Sequence, residues 1–138
     1  MNVIQASYEV REVEGVNFTN PRDIYSKLKE QFNPLQEEFF IIPTINQECL
    51  IEKLFTGGLD ASNVDPRTMF HKLLTEYPNC RAFLVAHNHP SGNNEPSGAD
   101  KLVTIKIKEA CKIMDYTLLD HIVFSNTGYY SFNDQGVL

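Results

Sequence analysis

The chain has no CxxC pair, no apolar run approaching 20 residues, no excess of basic charge and only four histidines. Each shortage narrows what the protein can be. Cys49, Cys80 and Cys111 are odd in number and widely spaced within apolar segments. They read as reduced core thiols of a cytoplasmic protein, not as a disulfide frame or a thiolate metal site. A membrane-spanning helix needs about 20 successive apolar residues, and the N-terminus shows no basic-then-apolar leader pattern. With 12 Lys and Arg against 18 Asp and Glu, the formal net charge is -6. That balance is poor for gripping a phosphate backbone, so nucleic-acid binding by this chain alone is not expected.

What is present suits a globular domain. The 138 residues are 42% hydrophobic and 22% charged, enough for one domain over residues 1–138 with its own core. The patterning reads roughly β-α-β-β-α-β-α-β-β. Val3 to Val13 leans towards strand. Asn20-Pro21 is a helix cap with proline at the first position, and Ile24, Tyr25, Leu28 and Phe32 follow at helical spacing until Asn33-Pro34. Glu38 to Thr44 and Cys49 to Phe55 read as a hairpin turning at Asn46-Gln47. Gly57-Gly58 breaks the pattern. Asp65-Pro66 opens a second helix with Met69, Phe70, Leu73 and Leu74 on its inner face. Arg81 to Ala86 is a strand. Gly98 to Asp115 is a helix whose buried stripe runs through Val103, Ile107, Ala110 and Met114, joined by Leu102 and Ile105. Leu118 to Phe124 and Tyr129 to Phe132 are strands around the turn Asn126-Thr127-Gly128. Strands interleaved with helices imply an α/β domain with a mixed sheet flanked by helices. The Gly/Asn/Pro/Ser-rich stretch from Pro90 to Ser97 lies off the end of a strand, where ligand-binding loops lie.

Two of the four histidines, His87 and His89, stand two apart at the end of the apolar run Ala82-Phe83-Leu84-Val85-Ala86. Strand side chains alternate, so both imidazoles point to one face. Asp100 can return a carboxylate to the same place, and two His with one carboxylate and an open fourth position is the ligand set of a catalytic zinc. Each residue also has a structural reading. A histidine on an apolar face often only packs, and Ser97-x-x-Asp100 before an apolar run fits a capping box. The two readings of Asp100 are compatible. Glu37 and Glu38 open an apolar strand, and one should point inward, where a carboxylate needs a partner.

The pattern His87-x-His89-Pro90, Ser97 and Asp100 with an upstream Glu resembles the JAMM/MPN+ metalloprotease motif. The wording of residues 87–92 (HNHPSG), Pro96-Ser97 and Asp120-His121 is similar to the bacterial RadC branch of that family. Gly57-Gly58, Asp65-Pro66-Arg67, the helix after Asp100 and Leu119-Asp120-His121 extend the likeness from about Glu37 to the C-terminus, with a motif core over about 37–133. The resemblance implies a JAB/MPN-like αβα fold, similar to that of cytidine deaminases. It implies Zn²⁺ held by His87, His89 and Asp100, Glu38 as general base with Glu37 as the fallback, and Ser97 as an oxyanion donor. The implied reaction is hydrolysis of a peptide or isopeptide bond in a peptide or protein substrate. JAMM deubiquitinases usually carry Ser or Thr between the histidines; this chain has Asn88, as the RadC branch does, and little room for insertions that seat ubiquitin.

Other residues of this region have smaller roles to weigh. Asn88 orients the loop or makes a polar contact in the cleft. His121, read at the start of a strand, is a candidate to support the metal ligands, and Asp120 reads equally as a strand-edge carboxylate. His71 and Glu95 read as surface residues. Three other functions compete. A non-catalytic protein-binding scaffold would not need the full set of Glu38, His87, His89, Ser97 and Asp100. A zinc nucleobase deaminase needs H-x-E and P-C-x-x-C, which this chain lacks. A DNA-repair-associated factor, suggested by the RadC resemblance, finds no support in the acidic composition.

Overall fold

A computed structural model describes residues 15–17, 20–56 and 64–138. The strand expected over Val3 to Val13 and the break at Gly57-Gly58 lie outside the described residues. The elements are β1 (Gly15–Asn17), α1 (Pro21–Gln31), β2 (Glu38–Ile45), β3 (Glu48–Leu50), β4 (Glu52–Thr56), α2 (Pro66–Glu76), β5 (Ala82–Asn88), α3 (Gly98–Met114), β6 (Thr117–Ser125) and β7 (Gly128–Ser131). They form a mixed sheet in the order β1-β3-β2-β5-β6-β7, with β4 also pairing β2. Among the described strands only β5 and β6 pair in parallel; α3 makes the crossover between them. The α/β reading therefore holds.

Local chemistry starts the first two helices and sets the β2–β3 turn as the sequence leads one to expect. The Asn20 side chain accepts from the Asp23 N–H and Pro21 follows it; the Asp65 side chain accepts from the Arg67 N–H and Pro66 follows. Asn46 and Gln47 both have positive φ (53° and 68°), the backbone needed by a two-residue turn that matches strand twist. The expected strand from Cys49 to Phe55 is instead two strands. β3 pairs with Thr44 and Ile45, β4 pairs with Glu38 to Ile41, and the ladder lapses across Ile42 and Pro43, the second of which has no N–H to donate.

Strand alternation sorts the core into two layers. Phe39, Ile41, Phe83 and Val85 face α2 and α3, meeting Met69, Phe70, Leu73, Val103, Ile107 and Cys111. Phe40, Ile42, Leu84 and Ala86 face the other way, against Ile24 and Leu28 of α1 with Ile122 and Phe124. The inner stripes of the helices are narrower than their apolar content suggests. Leu74 on α2 is 51% exposed, and on α3 Leu102 and Ile105 are 69% and 54% exposed, with Met114 exposed as well. On a 17-residue helix lying on a sheet, positions 100, 103, 104, 107 and 111 form the buried line; 102 and 105 fall to its flanks. No helix among the described residues is long and apolar enough to cross a membrane.

These layers set an expected outcome for stability. Ile107→Ala should cost about 2–5 kcal/mol in urea unfolding, because it opens a cavity between α3 and the sheet. Leu102→Ala should stay within about 0.5 kcal/mol of the parent.

Candidate metal centre

Three side chains converge where β5 ends and α3 begins. β5 runs two residues further than expected, through His87 and Asn88, and His89 follows it directly. His87 Nε2 and His89 Nε2 lie 3.2 Å apart. Asp100 Oδ1 is 2.9 Å from His87 Nε2, and Asp100 Oδ2 is 3.0 Å from His89 Nε2. Among the described residues these three form the one group of His, Cys, Asp and Glu whose donor atoms, all within 4.8 Å of one another, could hold a metal ion.

Each donor is fixed from behind. Asp100 sits in the first turn of α3 in a reciprocal capping box: Ser97 Oγ accepts the Asp100 N–H at 3.1 Å, and Asp100 Oδ2 accepts the Ser97 N–H at 2.7 Å. The cap and the convergence with the histidines therefore occur together. His89 Nδ1 donates to the carbonyl of Asn93 at 2.8 Å, and His87 Nδ1 lies 2.9 Å from His121 Nε2. The intervening loop is tied down too. The Gly92 N–H donates to the His89 carbonyl, and the Gly92 carbonyl accepts from the hydroxyls of Ser125 and Thr127 at the β6–β7 turn. Gly92 has φ of 85°, a backbone that glycine adopts without the Cβ cost of other residues.

The protons show what this arrangement lacks. Burial by itself pushes the Asp100 carboxyl up, but the hydrogen bonds from His87 and His89 overcome it and hold it well below the usual carboxylate range. His89 is raised above its ordinary value, first by its bond to Asp100, against burial. His89 already donates from Nδ1, so its contact with Asp100 needs a second proton on Nε2. A second such N–H on His87 would then face it across 3.2 Å. Two imidazolium N–H groups pointing at each other around one carboxylate are poorly matched; two neutral Nε2 lone pairs and a carboxylate are the donors of a divalent cation. The residues therefore fit a metal.

The acidic pair at the start of β2 is placed differently. Glu38 is buried, with Oε1 accepting the Asn33 N–H and Oε2 in ion-pair contact with the Lys53 ammonium. Glu37 is half-buried, and its charge is among those that raise His89. Asn88 clamps this segment to β5: its Oδ1 accepts the Glu38 N–H at 2.7 Å and its Nδ2 donates to the Gln36 carbonyl at 2.8 Å. Its role is thus to hold residues 36–38 beside the site.

Two expectations are corrected. His121 is not at the start of a strand but buried in the middle of β6. Asp120 is not an edge carboxylate; it is buried, accepting from the Ser131 hydroxyl and the N–H groups of His121 and Asn133, and burial raises its pKa. His71 and Glu95 are exposed, as expected. Sequence reading missed Lys53 and Thr104. Thr104, four residues after Asp100 on the same face of α3, had the spacing to be found; Lys53 had no such signal. Asn88→Ala would leave the Glu38 N–H and Gln36 carbonyl without their buried partner, and a loss of about 1–3 kcal/mol is expected in urea unfolding.

With this geometry in view, the chain matches the family model for the RadC-like JAB domain over residues 18–137. It is similar to the UPF0758 protein of Chlorobium phaeovibrioides, at 35% identity over 131 residues covering 93% of this chain and 56% of the relative. The UPF0758 protein of Actinobacillus succinogenes is 38% identical over 121 residues, covering 86% and 54%. UPF0758 protein YfjY of Escherichia coli K12 is 35% identical over 127 residues, covering 90% and 78%. The chain spans little more than half the length of the first two relatives. A match over residues 18–137, a span that includes His87, His89 and Asp100, makes this chain a member of the RadC-like JAB domain family.

Proposed function

We propose that the chain is a cytoplasmic zinc-dependent hydrolase of peptide or isopeptide bonds, acting on a peptide or protein substrate. The observation that carries the reading is the convergence of His87 Nε2, His89 Nε2 and Asp100 on one point at 2.9–3.2 Å. These residues would hold the ion. Zinc, when bound, acidifies a water to a pKa near about 7 and polarises a carbonyl.

The remaining work falls to side chains. A carboxylate beside the site takes the proton of the attacking water and passes it to the leaving amine. The family resemblance gives that role to Glu38, whose carboxylate is held by the Asn33 N–H and Lys53; Glu37, whose charge reaches His89, is the alternative. Ser97 Oγ accepts from the Asp100 N–H, which leaves its hydroxyl proton for the developing oxyanion. The Asn88 clamp keeps Glu38 in register with β5.

The deciding experiment is elemental analysis of the purified chain supplied with zinc, beside His89→Ala and Asp100→Ala. About one zinc per chain, lost in both variants, is expected. A chain that takes up no zinc would leave the protein-binding scaffold as the better account. The pH dependence follows from His89. Its raised folded-state pKa stabilises the metal-free fold below its ordinary value of about 6.5 and ceases to do so as pH rises through the raised value. Zinc must displace that proton, so the zinc-induced gain in Tm should be larger at pH 8 than at pH 6. Turnover tests the base. Any zinc-dependent cleavage found with fluorogenic peptides or isopeptide-linked peptides should fall at least about 100-fold in Glu38→Gln, with zinc content unchanged. Full turnover in Glu38→Gln and its loss in Glu37→Gln would move the role to Glu37.

A further inference from the structure

A continuous line of contacts joins the backbone of one proposed ligand to the ring of another. Thr104 Oγ1 lies 2.7 Å from the Asp100 carbonyl oxygen and 2.6 Å from His121 Nδ1. His121 Nε2 lies 2.9 Å from His87 Nδ1. The direction of every proton on this line follows from its first member. A carbonyl can only accept, so the single hydroxyl proton of Thr104 goes to Asp100, the back-bond that Thr commonly makes four residues along a helix. Thr104 Oγ1 must then accept from His121, which places the His121 proton on Nδ1. A neutral imidazole protonated on Nδ1 has its lone pair on Nε2, so His87 donates from its own Nδ1. The atom of His87 left to carry a lone pair is Nε2, the one that faces His89 and Asp100.

His121 is built to stay in this state. It is fully buried, its ring stacks on Phe132 at 4.8 Å and 10°, and its two hydrogen-bond partners are a hydroxyl and an imidazole. With no carboxylate on either ring nitrogen and no solvent at the ring, nothing there would stabilise a second proton on His121. Its position depends on an irregularity in β6. The β5–β6 register shifts between Phe83 and Leu84, which pair with Leu118 and Asp120 and leave Leu119 as the extra residue. One extra residue reverses the alternation beyond it and turns His121 to the α3 face, where Thr104 and His87 are.

We propose that His121, oriented by Thr104, is a positioning residue that fixes His87 in its Nδ1–H tautomer and so presents the Nε2 lone pair to the metal ion. This rests on the reading of His87, His89 and Asp100 as a metal centre. It adds a role for a buried histidine and a threonine that do not touch the ion. Partners of this kind typically change metal affinity about 10–100-fold.

The test uses the full chain. Long-range proton–nitrogen correlation spectra of the chelator-treated protein should show a proton on His87 Nδ1 and on His121 Nδ1, with His121 Nε2 bare. Competition titration with zinc alone should give an affinity about 10–100-fold weaker in Thr104→Val, restored towards wild type in Thr104→Ser. A packing role predicts the reverse order, because valine keeps the shape of threonine and serine loses a methyl group. Thermal melts of both metal-free variants check that each is folded. Wild-type protein that takes up no zinc would overturn the metal reading on which the role depends. A bare His87 Nδ1, or Thr104→Val binding zinc no more weakly than Thr104→Ser, would overturn the positioning role while leaving the metal reading intact.

Discussion

Asp100 Oδ2 accepts the Ser97 N–H at 2.7 Å while lying 3.0 Å from His89 Nε2, so the hydrogen bond that starts α3 also decides where the carboxylate sits. A free carboxylate side chain could swing away from two histidines. Here the capping box removes that freedom, because departure would leave the Ser97 N–H without its partner. The positive end of α3 favours the negative charge there as well. The first turn of the helix thus becomes one wall of the site, and the end of β5 becomes the other.

The two core layers exist in order to hold those walls together. Val103, Ile107 and Cys111 pin α3 against Phe39, Phe83 and Val85. Phe39 pairs with His87 across the ladder, and its ring stacks on the His87 imidazole at 6.1 Å and 17°. The loop between the histidines and the helix is pinned at its middle by Ser125 and Thr127. Polar groups that enter this core do so with partners: Thr104 with His121, Asn88 with the 36–38 segment, and Asp120 with Ser131 and Asn133. Burying any of them alone would cost free energy, so the networks constrain the fold as well as furnish the site.

Much of this was legible in the residues. Asn20-Pro21, Asp65-Pro66 and Ser97-x-x-Asp100 are local signals, satisfied by atoms a few residues away, and each starts a helix where read. The spacing of His87 and His89 needs only strand geometry to put both rings on one side. The misreadings share a cause. Leu74, Leu102 and Ile105 were assigned to the interior by their apolarity, yet burial depends on which line of each helix meets the sheet. The strand from Cys49 to Phe55 divides where its partner β2 carries Ile42 and Pro43, residues outside that segment.

The sequence by itself determined the α/β class, the helix starts, the Asn46-Gln47 turn and the three candidate metal donors. All of these rest on interactions within a few residues or on a strict period. Only the tertiary structure decided where Glu37 and Glu38 lie, that Asn88 serves as a clamp, and that His121 meets Thr104 and His87. The last turns on one extra residue in β6: without the register shift at Leu119, strand alternation would aim His121 at α1 instead of α3. Such a shift is set by how two strands and a helix pack together, which no local stretch of the chain encodes.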